Sequence, residues 1–218
     1  MDFDPGHLIF DCDGVLVDSE TIAVRIESEV LTAAGFAMTV PEIMEEFVGL
    51  SYTTVKAWLE NEFGQPVPDD LLPTVEQRVL QAFPTELEPI PGMAALLERS
   101  RLPRCVASSS DLDRIRLSLD ITGLRPHFDD EFVFSAQMVD RGKPEPDLFL
   151  MAADRLGATP DSCLVIEDSP HGVQAAVAAG MPVVGLVAGG HATPTLADRL
   201  RAAGADHVVA SVDEILPS

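Results

Sequence analysis

The side chains best placed for chemistry begin at Phe10-Asp11-Cys12-Asp13-Gly14. The apolar run ahead of them reads as a strand. Because side chains alternate along an extended backbone, Asp11 and Asp13 are expected on one side and Cys12 on the other. Paired carboxylates can act as nucleophile, general acid or base, or metal ligands, whereas the plain structural alternative is a turn with capping acids. Three more segments follow apolar runs in the same way. Ala107-Ser108-Ser109-Ser110-Asp111 offers hydroxyls and backbone N–H groups ahead of a helix start, an anion cradle if it is more than an ordinary N-cap. Gly142-Lys143-Pro144-Glu145-Pro146 holds one of only two lysines, Lys56 being the other, and Pro144 keeps Lys143 out of helical geometry. Val165-Ile166-Glu167-Asp168-Ser169 drives two adjacent acids out of an apolar run. Crowding Asp11, Asp13, Glu167 and Asp168 together would raise their pKa values unless a cation neutralised them, and hard oxygen donors favour magnesium.

The elements that must position these groups alternate. Short β-branched-rich runs at His7–Asp11, Arg104–Ser108, Glu131–Ser135, Cys163–Glu167, Val183–Val187 and His207–Ala210 read as strands. Helical spacing marks Met93–Arg101, Leu112–Ile121, Leu148–Leu156, His171–Ala179 and Thr195–Ala203. This order predicts an α/β fold, a parallel sheet wrapped by helices, whose ligands bind outside the carboxyl ends of the strands. Ser169-Pro170 reads as a helix N-cap and first turn, and Gly180 with Pro182 as a stop. Between Ser19 and Glu88 no strand is expected. Ile22, Ile26 and Val30 share one helical face with Gly35 as stop, so residues 19–88 are expected as a helical insert. The core then comprises 1–18 and 89–218, with Pro89-Ile90-Pro91-Gly92 as a stiff hinge.

Thirty-six acidic residues against 14 basic ones give a net charge of −22, which opposes nucleic acid or anionic lipid as partners. An anionic substrate must therefore meet a local positive site. Three widely spaced cysteines, Cys12, Cys105 and Cys163, argue against a disulfide scaffold. Without a basic leader or an apolar run near the roughly 18 residues of a membrane span, the expectation is a cytoplasmic protein with no membrane partner. The acidic surface favours a monomer.

Taken in order, Asp11-Cys12-Asp13-Gly14-Val15-Leu16-Val17-Asp18, Ser108, Lys143 and Glu167-Asp168 resemble the four motifs of the haloacid dehalogenase superfamily. The place of the insert resembles the α-helical cap of the subfamily that holds sugar-phosphate phosphatases, phosphoglycolate phosphatase and β-phosphoglucomutase. The resemblance implies a Rossmann-like doubly wound core and a phosphatase acting on a small phosphorylated metabolite. It implies Asp11 as nucleophile, through an aspartyl-phosphate, and Asp13 as general acid and then base, its backbone carbonyl helping to hold Mg2+. Ser108, Ser109 and Lys143 would grip the phosphoryl group, and Asp168 would bind the metal. Glu167 would be either a ligand or a neighbour that orients one.

Dehalogenation needs neither Asp13 nor an acidic metal site. A mutase would carry a cap arginine near Tyr52 and a histidine near Ala23, and neither is present. A non-catalytic phosphate-binding protein would be expected to lack Asp11 or Asp13. Tyr52 and Arg78 are candidate cap contacts to substrate, although Arg78 also reads as a surface arginine. Trp58 is expected to pack within the insert, His171 to sit on the surface and His191 to lie in a turn.

Overall fold

A computed structural model describes residues 4–47 and 52–216, without the side chains at 52 and 53. Six strands form one parallel sheet: β1 (His7–Phe10), β2 (Arg104–Ser108), β3 (Val133–Ser135), β4 (Cys163–Glu167), β5 (Val183–Leu186) and β6 (His207–Val209). Their spatial order is β3-β2-β1-β4-β5-β6. The chain therefore builds outward from β1 in both directions, and the switch point lies between β1 and β4. This is a Rossmann-like α/β fold.

Alternation along the strands feeds two cores. Leu8, Phe10, Val106, Ile166 and Val184 face one, and Ile9, Cys105, Ala107, Val165 and Val183 face the other. Helices α7 (Asp147–Leu156), α8 (Pro170–Ala178) and α9 (Leu196–Ala203) cover the second face, while α5 (Met93–Arg99) and α6 (Leu112–Ile121) cover the first. All three cysteines are buried and unpaired, behaving as small apolar side chains. Ser169 caps α8, its hydroxyl accepting the Gly172 N–H at 3.0 Å, and Gly180 ends the helix segment with φ +72°.

The described residues of the stretch 19–88 make four helices: α1 (Ser19–Ala33), α2 (Val40–Glu46), α3 (Tyr52–Phe63) and α4 (Leu71–Glu86). They leave and rejoin the sheet region through a paired neck. The Asp18 N–H donates to the Glu88 carbonyl at 3.0 Å, and the Ile90 N–H to the Leu16 carbonyl at 3.0 Å. The apolar faces of α1 and α4 pack together, and Trp58 stands edge-on to Phe47 with centroids 5.1 Å apart. Phe83 is fully buried in the cluster that also holds Phe10 and Val15, so the insert shares apolar contacts with one face of the sheet.

Strand boundaries differ from expectation at the third strand. Asp130–Phe132 forms a 3₁₀ turn because Asp130 and Glu131 are exposed at the sheet edge, and only Val133–Ser135 pairs with β2. No helix among the described residues is long and apolar enough to cross a membrane.

Phe83→Ala should destabilise the chain by about 3–5 kcal/mol, because a large buried ring leaves a cavity. Urea unfolding measures this, and a loss under about 1 kcal/mol would mean that the insert adds little to the shared core.

Candidate active site

Asp11 stands one residue beyond β1, where its N–H still donates to the Ile166 carbonyl at 3.0 Å. The ladder thus carries it to the switch point beside the end of β4. The chain then turns tightly, with the Leu16 N–H on the Cys12 carbonyl at 2.9 Å and the Gly14 N–H on the Val17 carbonyl at 2.8 Å. Gly14 has φ +74°, and a Cβ there would fall 1.9 Å from Asp168 Oδ2. Only glycine admits both the turn and that close carboxylate.

Lys143 Nζ donates to Asp11 Oδ1 at 2.9 Å and to Glu167 Oε1 at 2.6 Å, and lies 4.9 Å from the centroid of the Phe149 ring. Burial alone would lower the lysine pKa, but Asp11 and Glu167 hold it above its ordinary value. Glu167 is fully buried, and its Oε2 accepts the N–H groups of Asp168 at 3.1 Å and Ser169 at 3.0 Å and the Ser169 hydroxyl at 3.0 Å. Burial pushes the Asp11 carboxyl well up, with Lys143 opposing and Glu167 and Asp168 adding to the rise. Asp168 is likewise raised by burial, with His191 opposing.

One carboxylate oxygen from each of Asp11, Glu167 and Asp168 lies within 4.8 Å of the others, all buried. Hard oxygen donors packed this closely fit a divalent metal cation, since Lys143 and His191 together do not offset three acids. The Asp13 side chain is not in that group, which corrects the expectation of four carboxylates sharing one charge. Its Oδ1 accepts from Ser19 Oγ at 2.6 Å and Arg114 Nη2 at 3.2 Å, and its Oδ2 from Ser110 Oγ at 2.5 Å. Burial favours protonation of Asp13, but Arg114 and the two hydroxyls outweigh it and hold the pKa below the usual value.

These groups open into a cleft of about 660 Å³ between the strand ends and the insert. Ser108, Ser109 and Ser110 line it, with Lys143, Asp168 and His171. Ser108 Oγ accepts the Ser110 N–H at 3.1 Å, so the serine run folds back on itself ahead of α6. From the insert come Glu20, Ala23 and Glu27 on α1, Phe47 after α2, and Glu76 and Val79 on α4.

Arg78 is not in the cleft: it is exposed and pairs with Glu29 at 3.0 Å, because its position on α4 faces outward. The arginine that lines the cleft is Arg114 of α6, gripping both oxygens of Glu76 at 2.9 and 3.0 Å as well as Asp13. Helical spacing from Asp111 could have flagged it, but its partners are remote in sequence. The Tyr52 side chain and Gly49 lie outside the described residues. His191 sits in the expected turn, where the Ala192 N–H donates to the Gly189 carbonyl at 3.0 Å, but its side chain is only 2% exposed, with Nε2 2.8 Å from Asp168 Oδ2. Burial would lower its pKa, but Asp168 raises it to about 9. The contact is one of distance and charge rather than of hydrogen-bond alignment.

The family model described as haloacid dehalogenase-like hydrolase matches residues 6–180. The chain belongs to the haloacid dehalogenase-like hydrolases. Curated relatives include a 6-phosphogluconate phosphatase of Escherichia coli, 30% identical over 86% of this chain and 85% of that one. A fructose-1-phosphate phosphatase of the same bacterium is 32% identical over 81% of this chain and 94% of that one. Among solved structures, a haloacid dehalogenase-like protein of unknown function from Agrobacterium tumefaciens superposes with TM-score 0.88 at 40% identity, covering 94% of this chain and 93% of that one. A family hydrolase from Deinococcus radiodurans, solved with bound phosphate and sodium, gives TM-score 0.82 at 36% identity over 96% and 93%. Within this family the chain is an enzyme, a phosphoric monoester hydrolase.

A Cβ at Gly172 would lie 1.8 Å from Glu167 Oε1, so Gly172→Ala should displace that carboxylate and lower the melting temperature, read by calorimetry. An unchanged melting temperature would show that Glu167 can move without loss. Burial chiefly raises Glu27 to about 8, with Glu20 and Glu76 adding and Arg114 opposing. The folded state then holds a proton that the unfolded state releases above its ordinary value of 4.5, so Glu27 weakens the fold progressively as pH rises from there to about 8. Glu27→Gln should therefore gain at least about 1 kcal/mol over wild type on going from pH 5 to pH 8.5, each pKa unit corresponding to about 1.4 kcal/mol. A difference independent of pH would contradict the raised carboxyl.

Proposed function

We propose that the chain is a magnesium-dependent phosphatase of a small phosphorylated sugar, polyol or related metabolite, with Asp11 as nucleophile. The observation that carries this reading is the buried set of Asp11, Lys143, Glu167 and Asp168 at the switch point of the sheet, open to one cleft. The sugar-phosphate names of the relatives support the substrate class.

In this reading an Asp11 carboxylate oxygen attacks phosphorus in line, and the bond from phosphorus to the ester oxygen breaks. Asp13 gives its proton to the departing alkoxide, then takes one from the water that attacks the acyl phosphate. That second displacement breaks the bond between phosphorus and Asp11, releasing phosphate and restoring the carboxylate. Asp13 is held ionised by Arg114, Ser110 and Ser19 before substrate arrives, so the proton it gives to the alkoxide is one it takes from solvent or from the ester monoanion as it loosens from them. Lys143 and the serine run at 108–110 face the equatorial phosphoryl oxygens. Glu167 holds Lys143 in place and belongs to the group of three buried carboxylates beside the cation's position. Magnesium, held by Asp11 and Asp168 with the Asp13 carbonyl, would supply positive charge against the phosphoryl oxygens.

Residues 19–88 act as a cap, with the paired neck at Leu16–Asp18 and Glu88–Ile90 as its hinge. Ala23 lines the cleft from α1 where a mutase would need a histidine, which favours hydrolysis over phosphoryl return.

Phosphate release from a panel of sugar and polyol phosphates tests the proposal. Wild type with magnesium should turn over at least one of them, EDTA should stop it, and Asp11→Asn should lower kcat by at least about a thousandfold. Turnover that survives Asp11→Asn would remove Asp11 from the nucleophile's role.

A further inference from the structure

The wall of the cleft opposite the strand ends has a chemistry that the proposed reaction does not use. Three carboxylates of the insert, Glu20, Glu27 and Glu76, line it together with Phe47, Ala23 and Val79. The lysine and the arginine that line the cleft among the described residues are already engaged. Lys143 is shared by Asp11 and Glu167, and Arg114 is gripped by both oxygens of Glu76 and by Asp13. Arg114 also lies 5.2 Å from the centroid of the Phe83 ring, which leaves its planar head little room to swing toward a ligand. Neither Glu20 nor Glu27 has a side-chain hydrogen bond or ion pair among the described residues, so their oxygens face the cleft with capacity to spare.

Resting on the phosphatase reading, we propose that this wall selects a phosphate ester whose body is polyhydroxylated and uncharged, bound by hydroxyls donating to Glu27 and Glu20, and rejects bodies carrying a second anionic group. A hydroxyl donor is what an unpartnered carboxylate accepts, whereas a carboxylate or second phosphate there would meet like charge with neither Lys143 nor Arg114 free to pair it. Burial raises Glu20 to about 7 and Glu27 to about 8, so both carry charge at pH 9, the pH of the test, whereas near neutrality a protonated carboxyl could itself donate to an anion and weaken the rejection. The phosphate itself is answered at the other end of the cleft, so the two ends divide the substrate into a charged head and a neutral body. Among the curated relatives, this predicts selectivity unlike that named for the 6-phosphogluconate phosphatase and compatible with that named for the fructose-1-phosphate phosphatase.

The test compares sorbitol 6-phosphate and fructose 1-phosphate with 6-phosphogluconate and fructose 1,6-bisphosphate. It is made twice at pH 9: as kcat/KM in wild type, and as calorimetric binding to Asp11→Asn, which needs no turnover. Neutral bodies should be preferred by about tenfold or more in both, equivalent to about 1.4 kcal/mol. Glu27→Lys should shrink that ratio by about tenfold, while Asp154→Lys, an exposed charge change on α7, should leave it unchanged. If the anionic bodies bind or react as well as the neutral ones, or if glucosamine 6-phosphate exceeds glucose 6-phosphate tenfold, the neutral-body inference is overturned and the phosphatase reading stands. If no ester is hydrolysed but Asp11→Asn still prefers the neutral bodies, the inference stands and hydrolysis is what fails.

Discussion

Three carboxylates are costly to bury side by side without positive charge, and among the described residues the chain itself provides the ammonium of Lys143 beside Asp11 and Glu167 and the imidazole of His191 beside Asp168. The lysine's 2.9 Å and 2.6 Å contacts to Asp11 and Glu167 tie the end of β1 to the end of β4 across the switch point. Breaking such a buried set by removing one partner leaves uncompensated charge in a medium of low polarity. Much local detail serves this arrangement. Phe149 lies beneath the ammonium, the turn after β4 aims two N–H groups at Glu167, and Gly172 leaves out the Cβ that would strike it. Two single charges still fall short of three acids, and this shortfall is the physical reason a divalent cation suits the site.

A second ion-pair set joins the two parts of the molecule. Arg114 of α6 bridges Asp13, beyond β1, to Glu76 on α4, so the proton state of the proposed acid and base is coupled to where the insert sits. Movement of α4 away from α6 would withdraw the guanidinium's second partner and change the field at Asp13. The pairs are little exposed, so solvent screens them less than it screens the surface pairs of Arg25, Arg78 and Arg141.

Much of the fold was legible in the chain because its signals are local. Period-two apolar runs and helical spacing depend on near neighbours, so five of the strands fall within a residue of expectation, and the insert falls between the first two. The exception, the third strand, sits at the sheet edge, where Asp130 and Glu131 are free to turn outward into solvent and the apolar run overstates the pairing. Ser169 and Gly180 marked the ends of α8 for the same local reason, a hydroxyl acceptor at one end and a left-handed residue at the other.

By itself the sequence determined which strand ends carry reactive groups: Asp11 and Asp13, the serine run at 108–110, Lys143, and Glu167 with Asp168. Each follows an apolar run, and a parallel sheet brings such positions to one edge. What only the tertiary structure decided is which of them share a charge. Asp13 turned toward Arg114 and the serines instead of the acidic group, Glu167 was spent on Lys143, and His191 was drawn from a glycine loop onto Asp168. Arg114 supplanted Arg78 in the cleft, 101 residues along the chain from its partner Asp13. Such choices depend on distances of a few ångströms between segments far apart in sequence, and no periodicity along the chain encodes them.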